Sequence, residues 1–164
     1  MGYELQAVIA EELLLRAAVR DLPGAGVASL GQGLSLMVIT DQLFDAVTDG
    51  GSVGALGFWR LPRGFEVTLA EWSTAGPVAY VEAEFFGGDG EQRAAVWAGG
   101  ARVLGPLHTP PGRPFPSAGS PISQALRRLG AVRRADGDEF LAVGLDRHRF
   151  SEDWIDGAGR QGPR

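Results

Sequence analysis

The sequence predicts an α+β fold: a single domain with an antiparallel β-meander at its centre and about four helices packed on it. Three observations support this class. Residues 77–106, PVAYVEAEFFGGDGEQRAAVWAGGARVLGP, read as three consecutive strands joined by two glycine-marked turns. Apolar residues at helical spacing recur both before and after that stretch. Strands and helices also fail to alternate with the regularity of a doubly wound parallel sheet.

Along the chain, Tyr3 to Ile9 has strand character. Ala10 to Asp21 suits a helix whose wet side carries Glu12, Arg16 and Arg20 at four-residue intervals. Leu22-Pro23-Gly24 stops it. Leu34 to Ile39 is continuously apolar, as expected of a strand covered on both faces. Thr40 is placed to cap a short helix, with Asp41 in its first turn, Leu43, Phe44 and Val47 as its buried stripe, and Gly50-Gly51 as its end. Phe58 and Trp59 anchor the loop that follows. Phe65 to Ala75 places Phe65, Leu69 and Trp72 on one helical face.

In the meander, a four-residue loop over Gly87-Gly88-Asp89-Gly90 sets Glu84 opposite Arg93, Ala83 opposite Ala94, Val81 opposite Val96 and Tyr80 opposite Trp97. Side chains alternate along a strand, so Ala79, Val81, Ala83 and Phe85 share an apolar face while Tyr80, Glu82 and Glu84 share the other. A Gly99-Gly100 turn then sets Val96 opposite Val103 and Trp97 opposite Arg102. The proline-rich stretch His108 to Gly119 is expected to leave the sheet. Ser120-Pro121 starts a helix with Ile122, Ala125, Leu126 and Leu129 as its core stripe, Arg127 and Arg128 in its last turn and Gly130 beyond it. Glu139 to Leu145 reads as one more strand, and Ser151 to Ile155 as a final helical turn pinned by Trp154. The domain so defined spans residues 1–156, with 157–164 as a frayed tail.

Composition narrows the chemistry chiefly by exclusion. Hydrophobic residues make up 45% and charged residues 21% of the 164, a balance able to form a core. Without cysteine there is no disulfide, thiol catalysis or cysteine metal site. All fifteen basic residues are arginine, which removes lysine Schiff bases and the phosphate-loop lysine. No basic segment precedes an apolar one at the amino terminus and no run is long enough to span a membrane, so a cytoplasmic protein is expected. The net charge of −5 is unevenly divided: residues 1–90 hold 12 acids and 4 arginines, whereas residues 91–164 hold 8 acids and 11 arginines. Overall acidity argues against nucleic-acid binding.

Glu82 and Glu84 lie on one strand face with backbones about 7 Å apart, a spacing that suits an acid–base pair or a hard cation, and equally a polar face paired with Arg93. His148, in Asp-Arg-His-Arg, carries the side chain best suited to proton transfer near neutrality, or serves as a loop histidine bonded to Asp146. With His108 as the second histidine, a metal site would need carboxylates to complete it, and none is expected. The glycine clusters precede strands instead of helices and match no nucleotide-binding pattern, and Gly-x-Ser-x-Gly is missing, so no cofactor is expected. Tyr80, Trp97 and Trp59 form a recognition patch if that sheet face is open.

Two functions follow. One is a non-catalytic module binding a protein partner through the acidic and aromatic face of Tyr80, Glu82, Glu84 and Trp97. The other is a small enzyme or small-ligand binder with Glu82, Glu84, Arg93 and His148 around a pocket.

The blocks YVEAEFFGG (80–88), PISQALRRLG (121–130) and DEFLAVGLDRHR (138–149) resemble a group of short actinobacterial proteins to which no activity is attached, so the resemblance implies no residue roles. As a small, acidic, cysteine-free domain the chain is also similar in composition to bacterial immunity proteins, which mask toxin active sites; that likeness implies a protein partner.

Overall fold

The computed structural model describes residues 2–20, 22, 24–47, 55–86 and 89–160. Six strands form one sheet in which every neighbouring pair is antiparallel. They are β1 (Tyr3–Glu11), β2 (Val27–Ser29), β3 (Leu34–Val38), β4 (Val78–Phe86), β5 (Asp89–Ala98) and β6 (Ala101–Thr109), in the spatial order β2-β3-β1-β4-β5-β6. The meander β4-β5-β6 is therefore one half of the sheet, and β1 joins it to the other half. Six helices accompany the sheet: α1 (Glu12–Ala18), α2 (Asp41–Val47), α3 (Phe65–Trp72), α4 (Pro121–Arg128), α5 (Glu139–Ala142) and α6 (Ser151–Arg160).

Both faces of the sheet are covered, which explains why Leu5 to Ala10 and Leu34 to Val38 are buried without interruption. On one face Leu5, Ala7 and Ile9 of β1 and Ala79, Val81 and Ala83 of β4 pack against Ile122, Ala125 and Leu126 of α4 and Trp154 of α6. On the other, Val8, Ala10, Val78, Tyr80 and Trp97 meet Leu15 of α1, Leu43 of α2, Phe65 and Leu69 of α3, and Phe58 and Leu61 of the preceding loop. The acidic amino-terminal helices thus lie on one side of the sheet and the arginine-bearing α4 and α5 region on the other.

Local signals explain most helix boundaries. The Ser120 hydroxyl accepts from the Ser123 N–H at 3.1 Å, with Pro121 at the first helical position of α4. Thr40 caps α2 in the same way, accepting from the Leu43 N–H at 3.0 Å. Of the stripe expected on α2, Leu43 is buried and Phe44 half-buried. Phe65 and Trp72 close the buried face of α3 with rings edge to face at 5.6 Å. α1 starts two residues later than the sequence suggests, because β1 runs on to Glu11. The carboxylate of that residue then caps the helix by accepting from the N–H groups of Leu13 and Leu14.

Several expectations need correction. The β4–β5 connection is two residues long instead of four, since Phe86 pairs with Asp89. The ladder is consequently displaced by two: Glu84 lies opposite Glu91, Glu82 opposite Arg93, Val81 opposite Ala94, Tyr80 opposite Ala95 and Val78 opposite Trp97. An even displacement keeps each side chain on its expected face, so the apolar pattern could not reveal it. At the second turn Trp97 does face Arg102, but an irregularity in β5 sets Val96 opposite Leu104 instead of Val103. β6 continues through Pro106 to Thr109; it is an edge strand, and Pro106 falls where its ladder with β5 is interrupted, between the Leu104 and Leu107 pairings. The expected strand from Glu139 to Leu145 is α5 followed by a 3-10 turn at Leu145–Arg147. Asp138 starts that helix by accepting from the Leu141 N–H at 3.1 Å. At the carboxyl end α6 continues helically to Arg160. Gly50-Gly51, the Gly87-Gly88 turn, Pro23 and residues 161–164 lie outside the described residues.

Candidate functional site

The centre of the acidic face is a buried carboxylate. Glu82 Oε1 accepts from the Trp59 N–H at 2.6 Å, and Oε2 accepts from the Arg60 N–H at 2.7 Å and from the Tyr80 hydroxyl at 2.8 Å. Burial lifts the Glu82 carboxyl above its ordinary value; the two backbone donors, the Tyr80 hydroxyl and the charge of Arg93 oppose this without cancelling it. Burial, and next the charge of Glu82, push the Tyr80 hydroxyl well above the usual tyrosine value, so it stays a donor. Phe58 lies edge to face against Tyr80 at 4.9 Å, and Arg93 stacks on Trp59 at 4.7 Å. The carboxylate therefore pins the segment around Phe58 to Leu61 against the sheet.

Beyond this pin the strands outrun their helical cover. Exposure rises toward Tyr3 on β1, toward Phe86 on β4 and toward Asp89 on β5, and these three ends are adjacent. Here Glu4 of β1 lies opposite Glu84 of β4, which lies opposite Glu91 of β5, making one row of three carboxylates across three strands. The next row inward is Gln6, Glu82, Arg93 and His108. Glu91 pairs with Arg93 at 3.1 Å and lies within hydrogen-bond distance of His108 Nε2, at 2.5 Å. Glu4 and Glu84 form no ion pair among the described residues. Like charges set directly opposite one another destabilise a sheet, so this arrangement runs against folding.

The row floors a cleft of about 600 Å³, walled by Phe44, Trp59 and Arg60. A second cavity, of about 430 Å³, shares Glu4, Gln6 and Arg60 with it and continues past Thr40 and Asp41 to Ser151, Glu152 and Ile155. Arg60 divides the two: its Nε donates to the Ile39 carbonyl at 3.0 Å, its guanidinium pairs with Asp41, and it lies over the Phe44 ring. The β1 edge that β3 leaves open is filled by the start of α6, where the Glu4 N–H donates to the Arg149 carbonyl at 2.7 Å and the Gln6 N–H to the Ser151 hydroxyl. Among the described residues no group of three or more acidic or histidine side chains is placed to hold a metal ion.

The residues singled out from the sequence thus separate. Tyr80, Glu82 and Trp97 are buried and cannot form an open recognition face. Glu84 is half-buried in the cleft, and Arg93 serves Glu91 and Trp59 instead of the expected Glu84. His148 packs edge to face on Trp154 at 4.6 Å, and Trp154 belongs to the core on the other side of the sheet, so the histidine does not join the carboxylates. Glu4, Gln6, Phe44, Arg60 and Glu91 were not anticipated. The signal for Glu91 was the parity of the ladder; Glu4 depends on the pairing of β1 with β4, which no local pattern encodes. The chain matches no family model, no curated protein sequence and no solved structure.

Proposed function

We propose that the protein is a non-catalytic interaction module whose cleft takes a basic segment of a protein partner. The observation that carries this reading is the row Glu4, Glu84 and Glu91, in which Glu4 and Glu84 face each other without an ion pair among the described residues, on the floor of a cleft whose one arginine, Arg60, is paired with Asp41. An arginine or lysine entering the cleft gives these carboxylates a partner, and the half-buried setting of the row strengthens that attraction relative to open water. Trp59 and Phe44 add planar surface suited to a guanidinium. An immunity-like role, in which an acidic surface caps the basic site of a partner, uses the same complementarity.

The test is titration of an arginine-rich peptide into wild type and Glu84→Gln, followed by calorimetry and tryptophan fluorescence. Wild type is expected to bind in a salt-sensitive manner. The variant should bind at least several-fold more weakly while melting slightly higher, because about 0.2–1 kcal/mol of cross-strand repulsion is relieved. Equal affinity of the two proteins for the peptide would remove the cleft from the function.

A further inference from the structure

The arginine-bearing side of the molecule presents the kind of segment that the cleft is suited to take. Between α4 and α5, residues 131–134 read Ala-Val-Arg-Arg and lie outside regular secondary structure. Arg128, Arg133 and Arg134 are exposed, and none is within ion-pair distance of a carboxylate among the described residues. Val132 between them is 68% exposed, so its side chain is available to a partner.

The segment is also held rigidly. Ala131 is buried, and its N–H donates to the Leu126 carbonyl at 3.0 Å. Gln32, in the turn before β3, clamps the backbone of Val132 from both sides: the Val132 N–H donates to Gln32 Oε1 at 2.9 Å, and Gln32 Nε2 donates to the Val132 carbonyl at 2.9 Å. Gln32 does so with φ at +59°, a left-handed conformation that a non-glycine residue adopts at a cost. A residue with a left-handed backbone is thus used to fix the backbone of the exposed Val132, next to Arg133 and Arg134. Rigid presentation lowers the entropy lost on docking.

The segment cannot reach the cleft of its own chain. Gln32 and the 131–134 loop lie at the Glu11 end of β1, because Glu11 pairs with Leu34, whereas the cleft lies at the Glu4 end, roughly 23 Å away along the strand.

We propose that the occupant of the cleft is a second copy of this chain, which inserts its Val132-Arg133-Arg134 segment between Trp59 and the Glu4–Glu84 row. This rests on the cleft reading above and names its partner. The two surfaces differ, so the contact is head to tail, and a dimer keeps one cleft on one copy and one loop on the other unused. Association continues past the dimer, and salt opposes it.

Sedimentation equilibrium of the full chain tests this. At low ionic strength the weight-average mass is expected to climb past the dimer value as concentration rises, and to return to the monomer value at high ionic strength. Glu84→Arg removes the cleft, and Arg133→Glu with Arg134→Glu removes the loop, so each variant alone should remain monomeric. Their equimolar mixture should stop at a 1:1 dimer, since one intact cleft meets one intact loop. Gln32→Ala keeps every charge and should weaken self-association several-fold by freeing the loop. A wild type that stays monomeric at every concentration, or an equimolar mixture that does not associate, overturns the proposal. If the wild type is monomeric but still binds the arginine-rich peptide, only the choice of partner fails; if it does neither, the cleft reading fails too.

Discussion

Removing the Glu82 carboxylate by Glu82→Ala strips the acceptor from three buried donors: the N–H groups of Trp59 and Arg60 and the Tyr80 hydroxyl. Each orphaned donor costs about 1–3 kcal/mol, and relief of the buried charge returns part of that sum. A net loss of about 3–5 kcal/mol is in keeping with breaking other buried charged networks, and it lowers the melting temperature of a chain this size by roughly 6–20 °C. The pH dependence discriminates further. Because burial raises the Glu82 carboxyl, the folded state holds its proton more tightly than the unfolded state does. The contribution of Glu82 to stability is then fully present below the ordinary carboxylate value and declines as pH rises through the raised one. The gap between wild type and Glu82→Ala should accordingly narrow from acid toward neutral pH. The assay is urea unfolding at a series of pH values, with hydrogen exchange at Trp59 and Arg60 as the local probe. A gap that widens with pH, or retained protection of those two amides in the variant, would refute the pinning role.

Two further outcomes concern the arginine-bearing side. Arg127→Met removes the 2.9 Å bond to Glu139, a buried carboxyl that burial would raise but that the Arg127 hydrogen bond and the nearby arginine charges hold below its ordinary value. Stability supplied by a lowered carboxyl is present above the ordinary value and lost as pH falls, so the variant should lose about 1–2 kcal/mol near neutrality and almost nothing in acid, read by chemical denaturation. Ser120→Ala deletes the cap of α4 at a buried position and should cost about 0.5–2 kcal/mol, read as a lower melting temperature with an unchanged denaturant slope.

What was legible in the sequence depended on how local its cause was. The α4 cap, the Thr40 cap and the Phe65, Leu69 and Trp72 face are set by residues within a turn or two of each other, and they lie where the spacing places them. The assignment of each meander side chain to a face survived a two-residue error in register because parity is conserved under an even slip. Partner identity was not conserved. Glu84 exchanges Arg93 for Glu91, which turns an ordinary ion pair into a like-charge contact and moves the candidate site from the middle of the sheet to its end. The segment from Glu139 to Leu145 was misread because a short apolar run bounded by turn residues fits a buried strand or a buried helical turn equally well; Asp138 decides the matter. Glu4 was invisible because its role follows from a pairing across most of the chain.

Covering the sheet on both faces has a functional consequence. Side chains in the middle of β1, β4 and β5 are committed to the two cores, so even a charged residue there, such as Glu82, must be fully bonded and serves the fold. Contact with another molecule can use the sheet only where strands extend past the helices, and that end of β1, β4 and β5 carries the three glutamates. The sheet also divides the charge: α1 to α3 lie with the cleft's aromatic wall on one side, while Arg128, Arg133 and Arg134 lie on the other. The asymmetry between the two halves of the sequence therefore appears as two opposed surfaces of one molecule. The glutamate row and the Arg133–Arg134 pair lie roughly 23 Å apart along a strand, beyond the distance over which exposed charges act on one another at physiological salt, so neither surface compensates the other within the chain.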